Sequence, residues 1–95
     1  MSRDFWKLTL TPSPDALHQS LGGETVLLNL RTEQYFGLDE TGTRIWELIL
    51  ASHSPEAIVD QLLAEFDVER SQAAADVERL VAELEQAGLV ERAER

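Results

Sequence analysis

The chain has 95 residues, 43% of them apolar and 27% charged, which is the composition of one small globular domain. It has no cysteine, which excludes a disulfide framework, a cysteine metal site and a cysteine nucleophile. With 8 basic and 18 acidic residues its formal net charge is −10, which opposes nucleic-acid binding. No apolar run approaches the ~20 residues of a membrane span and no secretory signal is seen, so we expect a cytoplasmic protein with no membrane contact.

The first forty residues have the pattern of β-strands. Residues 5–10 alternate between apolar and polar side chains and predict the first strand. Residues 15–20 have no firm period, and the glycine pair at 22–23 indicates a turn. Residues 25–30 and 34–38 predict the second and third strands, and the short connection between them predicts a hairpin.

Three helices are predicted to follow, over residues 40–51, 55–66 and 70–87. Each has apolar side chains recurring at helical spacing, such as Ile45 and Leu48 in the first. Capping residues lie at the expected ends of these segments, which strengthens the assignment. The caps are Asp39 and Ser54 at N-termini and Gly88 at the C-terminus of the third helix.

This order of elements predicts an α+β domain over residues 1–90, with a three-stranded antiparallel sheet packed on three C-terminal helices. Residues 91–95 are mostly charged, and we expect them to form a frayed tail.

The residues needed for catalysis are absent from the sequence. His18 and His53 do not stand at a metal-ligand spacing, and we interpret both as loop residues. The carboxylates fall mainly on helix faces beside cations, which is typical of solvated surfaces rather than of an acid–base pair. We therefore expect no enzymatic activity, no cofactor and no metal site.

The third strand is the most informative element. Tyr35, Phe36 and Gly37 follow one another without a lysine or proline to protect the strand edge. If this strand is the outer one of the sheet, it offers its backbone to another extended chain. The alternative is that the two aromatic side chains only fasten the sheet to the helices, and the residues alone leave both interpretations open.

Two longer runs resemble a known family. They are VLLNLRTEQYFGLD at residues 26–39 and TGTRIWEL at residues 41–48, followed by FDV at 66–68, an Asp-Val pair at 76–77 and LEQAGLV at 84–90. Together they resemble the PqqD family, the leader-peptide recognition elements of ribosomal peptide natural-product pathways, and most of all the free-standing forms of lasso-peptide pathways. One departure is Glu33, where such hairpins often carry glycine.

The resemblance implies a winged-helix-like fold in which the leader of a precursor peptide docks as an added antiparallel strand between the third strand and the third helix. By resemblance the backbone template is Gln34, Tyr35, Phe36, Gly37 and Leu38, and the opposite wall is Ala73, Asp76, Val77, Leu80 and Glu83. Asp76 has a second interpretation as a solvated partner of Arg79. The family also suggests a leader protease and a cyclase as partners, and hence a non-catalytic module that presents the leader to them.

Two other functions fit the same fold class. The first is an acidic winged-helix domain of the transcription type, which the excess of acidic over basic residues in the third helix disfavours. The second is a scaffold domain that forms a homodimer through the same strand edge when no leader is bound.

Overall fold

The computed structural model describes residues 5–93, which adopt an α+β fold. The strands are β1 (Thr9–Pro12), β2 (Ala16–Leu21), β3 (Glu24–Asn29), β4 (Gln34–Leu38) and β5 (Val90–Ala93). The helices are α1 (Glu40–Leu50), α2 (Pro55–Glu65) and α3 (Arg70–Gln86), each within one residue of its predicted bounds. No helix in this part of the chain is long and apolar enough to span a bilayer.

The main sheet is antiparallel, with strand order β2-β3-β4. The predicted hairpin of β3 and β4 is confirmed, with Leu27 opposite Phe36. The hairpin of β2 and β3 turns through Gly22 and Gly23, whose φ angles are 58° and 90°. Positive φ at both central residues suits the right-handed twist of the strands, and glycine adopts it without steric cost.

The first predicted strand, 5–10, is wrong in its extent and in its partner. Phe5 is helical and is followed by a turn at residues 6–7, with its carbonyl accepting from the N–H of Leu8, and the strand forms only from Thr9. It pairs with β5, with Thr11 opposite Glu91, in a separate two-stranded sheet. The prediction that the C-terminal tail frays is therefore wrong for residues 91–93, which belong to β5. Residues 94–95 lie outside the described part of the chain.

β2 takes the place in the main sheet that was assigned to residues 5–10. The sequence did not reveal β2 because no burial pattern is imposed on it: five of its six residues, Leu17 to Leu21, are exposed. It is an outer strand held by β3 on one side only. Its neighbour β3 alternates between buried and exposed residues, which made that strand recognisable.

The inner face of the sheet and the three helices enclose one hydrophobic core. Trp46 of α1 is only 1% exposed and lies in this core with Leu27 of β3. The large apolar side chains of α3, which recur at helical spacing, are buried in this core. They are Val77, Leu80, Val81 and Leu84.

The buried side chain of Asn29 joins the β3–β4 turn to the end of α3. Its Oδ1 accepts from the backbone N–H groups of Arg31 (2.9 Å) and Thr32 (3.2 Å). Its Nδ2 donates to the carbonyls of Ala87 (2.8 Å) and Gly88 (3.4 Å). One amide therefore organises the turn and also satisfies carbonyl groups that the helix end leaves without an intrahelical partner.

A bidentate ion pair joins α1 to α2. Nε and Nη2 of Arg44 each lie 2.8 Å from a carboxylate oxygen of Glu65, and Gln61 donates to the same carboxylate. The hydrogen bonds from Arg44 and then Gln61 lower the pKa of Glu65 from its ordinary 4.5 to about 2.

We expect Asn29→Ala to lower the free energy of unfolding by about 2–4 kcal/mol, because it leaves polar groups of both the turn and the helix end without partners. Urea denaturation followed by circular dichroism measures this. Gln19→Ala, which removes an amide from an exposed strand position, is the matched control. A loss from Asn29→Ala no larger than that of the control would contradict the role given to Asn29.

Glu33 adopts a φ of 62° in the β3–β4 turn, the left-handed region that glycine tolerates best. We expect Glu33→Gly to stabilise the protein by about 0.5–1 kcal/mol, since relief of this strain exceeds the entropy gained by the unfolded chain. Thr32→Gly is the control, because Thr32 does not have a positive φ and should only lose stability. Equal urea midpoints for Glu33→Gly and Thr32→Gly would contradict the prediction.

The lowered pKa of Glu65 makes stability fall on acidification. Between its ordinary pKa of 4.5 and the folded value of about 2, the unfolded state binds more protons than the folded state. We expect the urea midpoint to fall between about pH 5 and about pH 2, and to fall less in Glu65→Gln. Exposed Glu78 provides the control Glu78→Gln; the same pH dependence in both variants would contradict the assignment.

Candidate functional site

Within residues 5–93, β4 pairs with β3 alone, which leaves its other edge free along its whole length. The N–H of Leu30 donates to the carbonyl of Asp15 on the β2 side of β3 (2.9 Å), and backbone groups alternate in direction along a strand. Only every second residue of β4 therefore directs its N–H and C=O groups toward β3. The N–H and C=O groups of Tyr35 and Gly37 are directed outward, away from β3. The residues whose backbone groups face β3 are then Gln34, Phe36 and Leu38, which lie opposite Asn29, Leu27 and Thr25.

A groove runs beside this edge. Its walls are β4, the start of α1 and the middle of α3, and it encloses a cavity of about 420 Å³. Gly42 allows α1 to begin close to β4, because an added Cβ would stand 3.3 Å from both Leu38 and Asp39. The lining residues are Phe36, Gly37, Leu38, Asp39, Thr41, Gly42, Ile45, Asp76, Arg79, Leu80 and Glu83.

The groove has an apolar floor and a charged rim. Leu38, Ile45 and Leu80 are each at most 7% exposed and belong to the same core that supports the sheet. The charged side chains on the lining are those of Asp39, Asp76, Arg79 and Glu83. A side chain entering the groove would thus exchange water for apolar surface, while its backbone would stay among polar groups.

The charges contributed by α3 form one row. Nη1 of Arg79 lies 3.2 Å from Asp76, and its Nε lies 4.0 Å from Glu83. Gln72 also donates to Asp76 (3.0 Å). These are exposed or half-exposed ion pairs, and pairs of this kind hold side chains only loosely because water competes for both partners.

Six of the residues singled out in the sequence line the groove, on both of its walls. Gln34 and Tyr35 lie on the strand but outside the cavity, and the Tyr35 side chain, 74% exposed, points to the outer face of the sheet. Ala73 and Val77 are buried in the core, so Val77 does not offer the pocket surface expected of it. The six lining residues are Phe36, Gly37, Leu38, Asp76, Leu80 and Glu83.

Sequence reasoning missed Arg79, the remaining charged residue of the α3 wall. Its position was a usable signal, since it lies three residues after Asp76 and four before Glu83, on the same helical face. The α1 residues of the floor, such as Ile45, were assigned to the core alone. Only the close approach of α1 to β4 brings them to the groove.

The arrangement suits the binding of an extended backbone. Within residues 5–93 no three His, Asp or Glu side chains are grouped closely enough to hold a metal ion. The site consists of unpaired strand groups beside an apolar trough, which is the geometry in which a sheet accepts an additional strand.

Two solved structures are similar to this chain over almost its full length. The structure of TbiB1 in complex with the TbiA(beta) leader peptide has a TM-score of 0.82 and 35% sequence identity, covering 90% of this chain and 99% of that chain. Lasso peptide synthetase B1 complexed with the leader peptide has a TM-score of 0.79 and 29% identity, covering 86% and 96%.

A search among curated protein sequences finds no significant match. The family model of coenzyme PQQ synthesis protein D (PqqD) matches residues 24–90, the same segment in which the sequence motifs were found. This match begins with β3 and ends at the start of β5, so it includes both walls of the groove. Because it spans well over half of the chain, the protein belongs to the PqqD family.

Proposed function

We propose that the protein binds the leader region of a ribosomally made precursor peptide as an additional strand on β4. The observation that carries the proposal is the free edge of β4, where the outward groups of Tyr35 and Gly37 border a groove closed on its far side by α3. The likeness to two structures that hold a leader peptide supports it. One of the two is a lasso peptide synthetase B1, which supports a precursor of the lasso-peptide class.

The register of β4 defines how such a strand would lie. In antiparallel pairing, the leader residues opposite Tyr35 and Gly37 exchange backbone hydrogen bonds with the edge. The residues opposite Phe36 and Leu38 direct their side chains to the inner side of the sheet, toward the groove floor. Alternate leader side chains are therefore selected by the floor of Leu38, Ile45 and Leu80, and the intervening ones extend the outer face.

The apolar floor supplies free energy that backbone pairing alone lacks. Ordering a disordered segment costs about 2–5 kcal/mol of the gross interaction energy. Each large apolar side chain transferred from water to the floor offsets about 1.5–3 kcal/mol of that cost. Two leader side chains seated on the floor would thus offset about 3–6 kcal/mol, which is similar in size to the cost of ordering the leader.

The proposed role is non-catalytic and consists of delivery. A leader held on β4 can be presented to a leader protease and then to a cyclase, in the cytoplasm where the precursor is made. Tethering of this kind raises the local concentration of the segment to be processed to about the millimolar range. The net charge of −10 favours enzyme partners or leaders with a basic surface, chiefly through the rate of association.

The two alternatives are less well supported. In a DNA-binding winged helix, α3 would have to enter the major groove, but it carries five acidic side chains if Glu69 at its N-cap is included, against Arg70 and Arg79. Self-association through β4 uses the same free edge. It has to bring together two molecules that each carry a charge of −10.

We expect Tyr35→Pro to weaken leader binding by at least about tenfold, because proline removes an outward N–H donor and places its ring against the incoming strand. The binding assay is fluorescence anisotropy with a labelled synthetic leader, taken from a candidate short precursor gene near the gene for this protein. Tyr35→Thr is the matched control, since it shortens the same exposed side chain and keeps the donor.

Equal binding by wild type and Tyr35→Pro would rule out strand addition at this edge. If Tyr35→Pro and Tyr35→Thr lose the same amount of leader affinity, the contact is made by the aromatic ring and not by the backbone. Circular dichroism melting of both variants tests that the fold is intact. Light scattering of the peptide-free protein across concentrations separates leader capture from pairing of β4 with a second copy.

A further inference from the structure

A strand added to β4 has a second edge, which faces α3. In the antiparallel register, the leader residues opposite Phe36 and Leu38 direct their N–H and C=O groups away from β4. An α-helix uses its own backbone groups internally and offers none to a neighbouring strand. The second edge must therefore be satisfied by water or by side chains of α3, because a buried backbone group without a partner is costly.

The wall of α3 presents both kinds of partner at this place. Asp76 and Glu83 are acceptors, and Arg79 between them is a donor with five N–H bonds in a planar fork. Among the groove-lining residues of the described chain, Arg79 is the single cation. Arg79 is consequently the lining residue that can donate charge-assisted hydrogen bonds to the carbonyl oxygens of a bound strand.

Arg79 has an acidic partner on each side along α3 and still keeps a donor group free within residues 5–93. Asp76 and Glu83 contact its Nη1 and Nε, and within residues 5–93 its Nη2 makes no hydrogen bond. Its side chain is 63% exposed while that of Asp76 is 25% exposed, so the guanidinium is the more accessible partner of this pair. Solvated pairs of this type rearrange readily, since each contributes little net free energy.

We propose that Arg79 donates to main-chain carbonyls on the α3-facing edge of the captured leader, with Asp76 and Glu83 positioning its guanidinium. The inference rests on the proposed function and adds a contact that recognises any extended backbone, whatever its side chains. Affinity would then come from both edges of the strand, and selection among leaders from the apolar floor.

The test compares Arg79→Met with Arg70→Met, using the same labelled synthetic leader. Both changes remove one arginine from α3, but Arg70 pairs with Asp60 on α2 and is not part of the groove. We expect Arg79→Met to weaken binding about tenfold, as loss of one charge-assisted hydrogen bond does, and Arg70→Met to change it less than about twofold. Arg79→Lys retains a charged donor but lacks the planar guanidinium, so its affinity for the leader should lie between those of the two methionine variants.

A backbone scan identifies the contacted atoms. Each leader amide is replaced in turn by an ester, which removes one N–H donor, weakens the carbonyl acceptor of the same linkage and leaves the side chains unchanged. We expect double-mutant cycles with Arg79→Met to show coupling at alternate leader positions, because every second carbonyl faces α3. If replacing an acidic side chain of the leader abolishes the coupling to Arg79, then Arg79 contacts that side chain and not the backbone. This outcome would overturn the proposal.

The outcomes also separate this inference from the function on which it rests. If wild type binds the leader and Arg79→Met binds equally well, or if every ester effect is additive, the inference fails and leader capture stands. If folded wild type does not bind the leader at all, both fail. Melting temperatures of Arg79→Met and Arg70→Met, measured by circular dichroism, test that the two variants fold equally.

Discussion

The groove depends on the position of one buried amide. Asn29 holds the β3–β4 turn with its oxygen and the last carbonyls of α3 with its nitrogen, so it links the two elements that form opposite walls of the groove. Gly88 contributes to the same junction, because a Cβ there would stand 2.9 Å from the Asn29 nitrogen. The α3 end can therefore approach the turn only with glycine at this position, whose φ is 72°.

A free strand edge invites aggregation, and this protein limits that hazard without a guarding residue on β4. The edge is only five residues long, and α3 stands beside it as the far wall of the groove. The strongly negative net charge opposes the association of two copies of the chain. Both features disfavour pairing with a second sheet more than pairing with a narrow extended peptide, in agreement with the proposed function.

In the proposed complex, recognition is divided between two kinds of contact. Backbone groups of Tyr35 and Gly37 would pair with any strand, while the floor of Leu38, Ile45 and Leu80 would discriminate by the size of alternate side chains. Because the floor belongs to the hydrophobic core, its shape is maintained by the same packing that stabilises the fold. A binding site of this kind needs no mobile loop to become complete.

Local sequence was sufficient for every element whose signals lie within a few residues. The helices followed from their apolar spacing and from caps such as Asp39, whose carboxylate accepts from Gly42, and the β3–β4 hairpin followed from two adjacent apolar runs. The motifs of residues 26–48 also sufficed for the family resemblance that the match of residues 24–90 confirms.

Contacts between distant residues set the rest. β1 pairs with β5 and β2 occupies the outer position of the main sheet, because strand pairing joins distant segments and leaves no period in an exposed strand. The difference between Val77, buried in the core, and Arg79, directed to the groove, depends on the rotation of α3 against the sheet. Helical spacing places side chains on a common face, but only packing against β4 and α1 makes one side of that face a core and the other a binding surface.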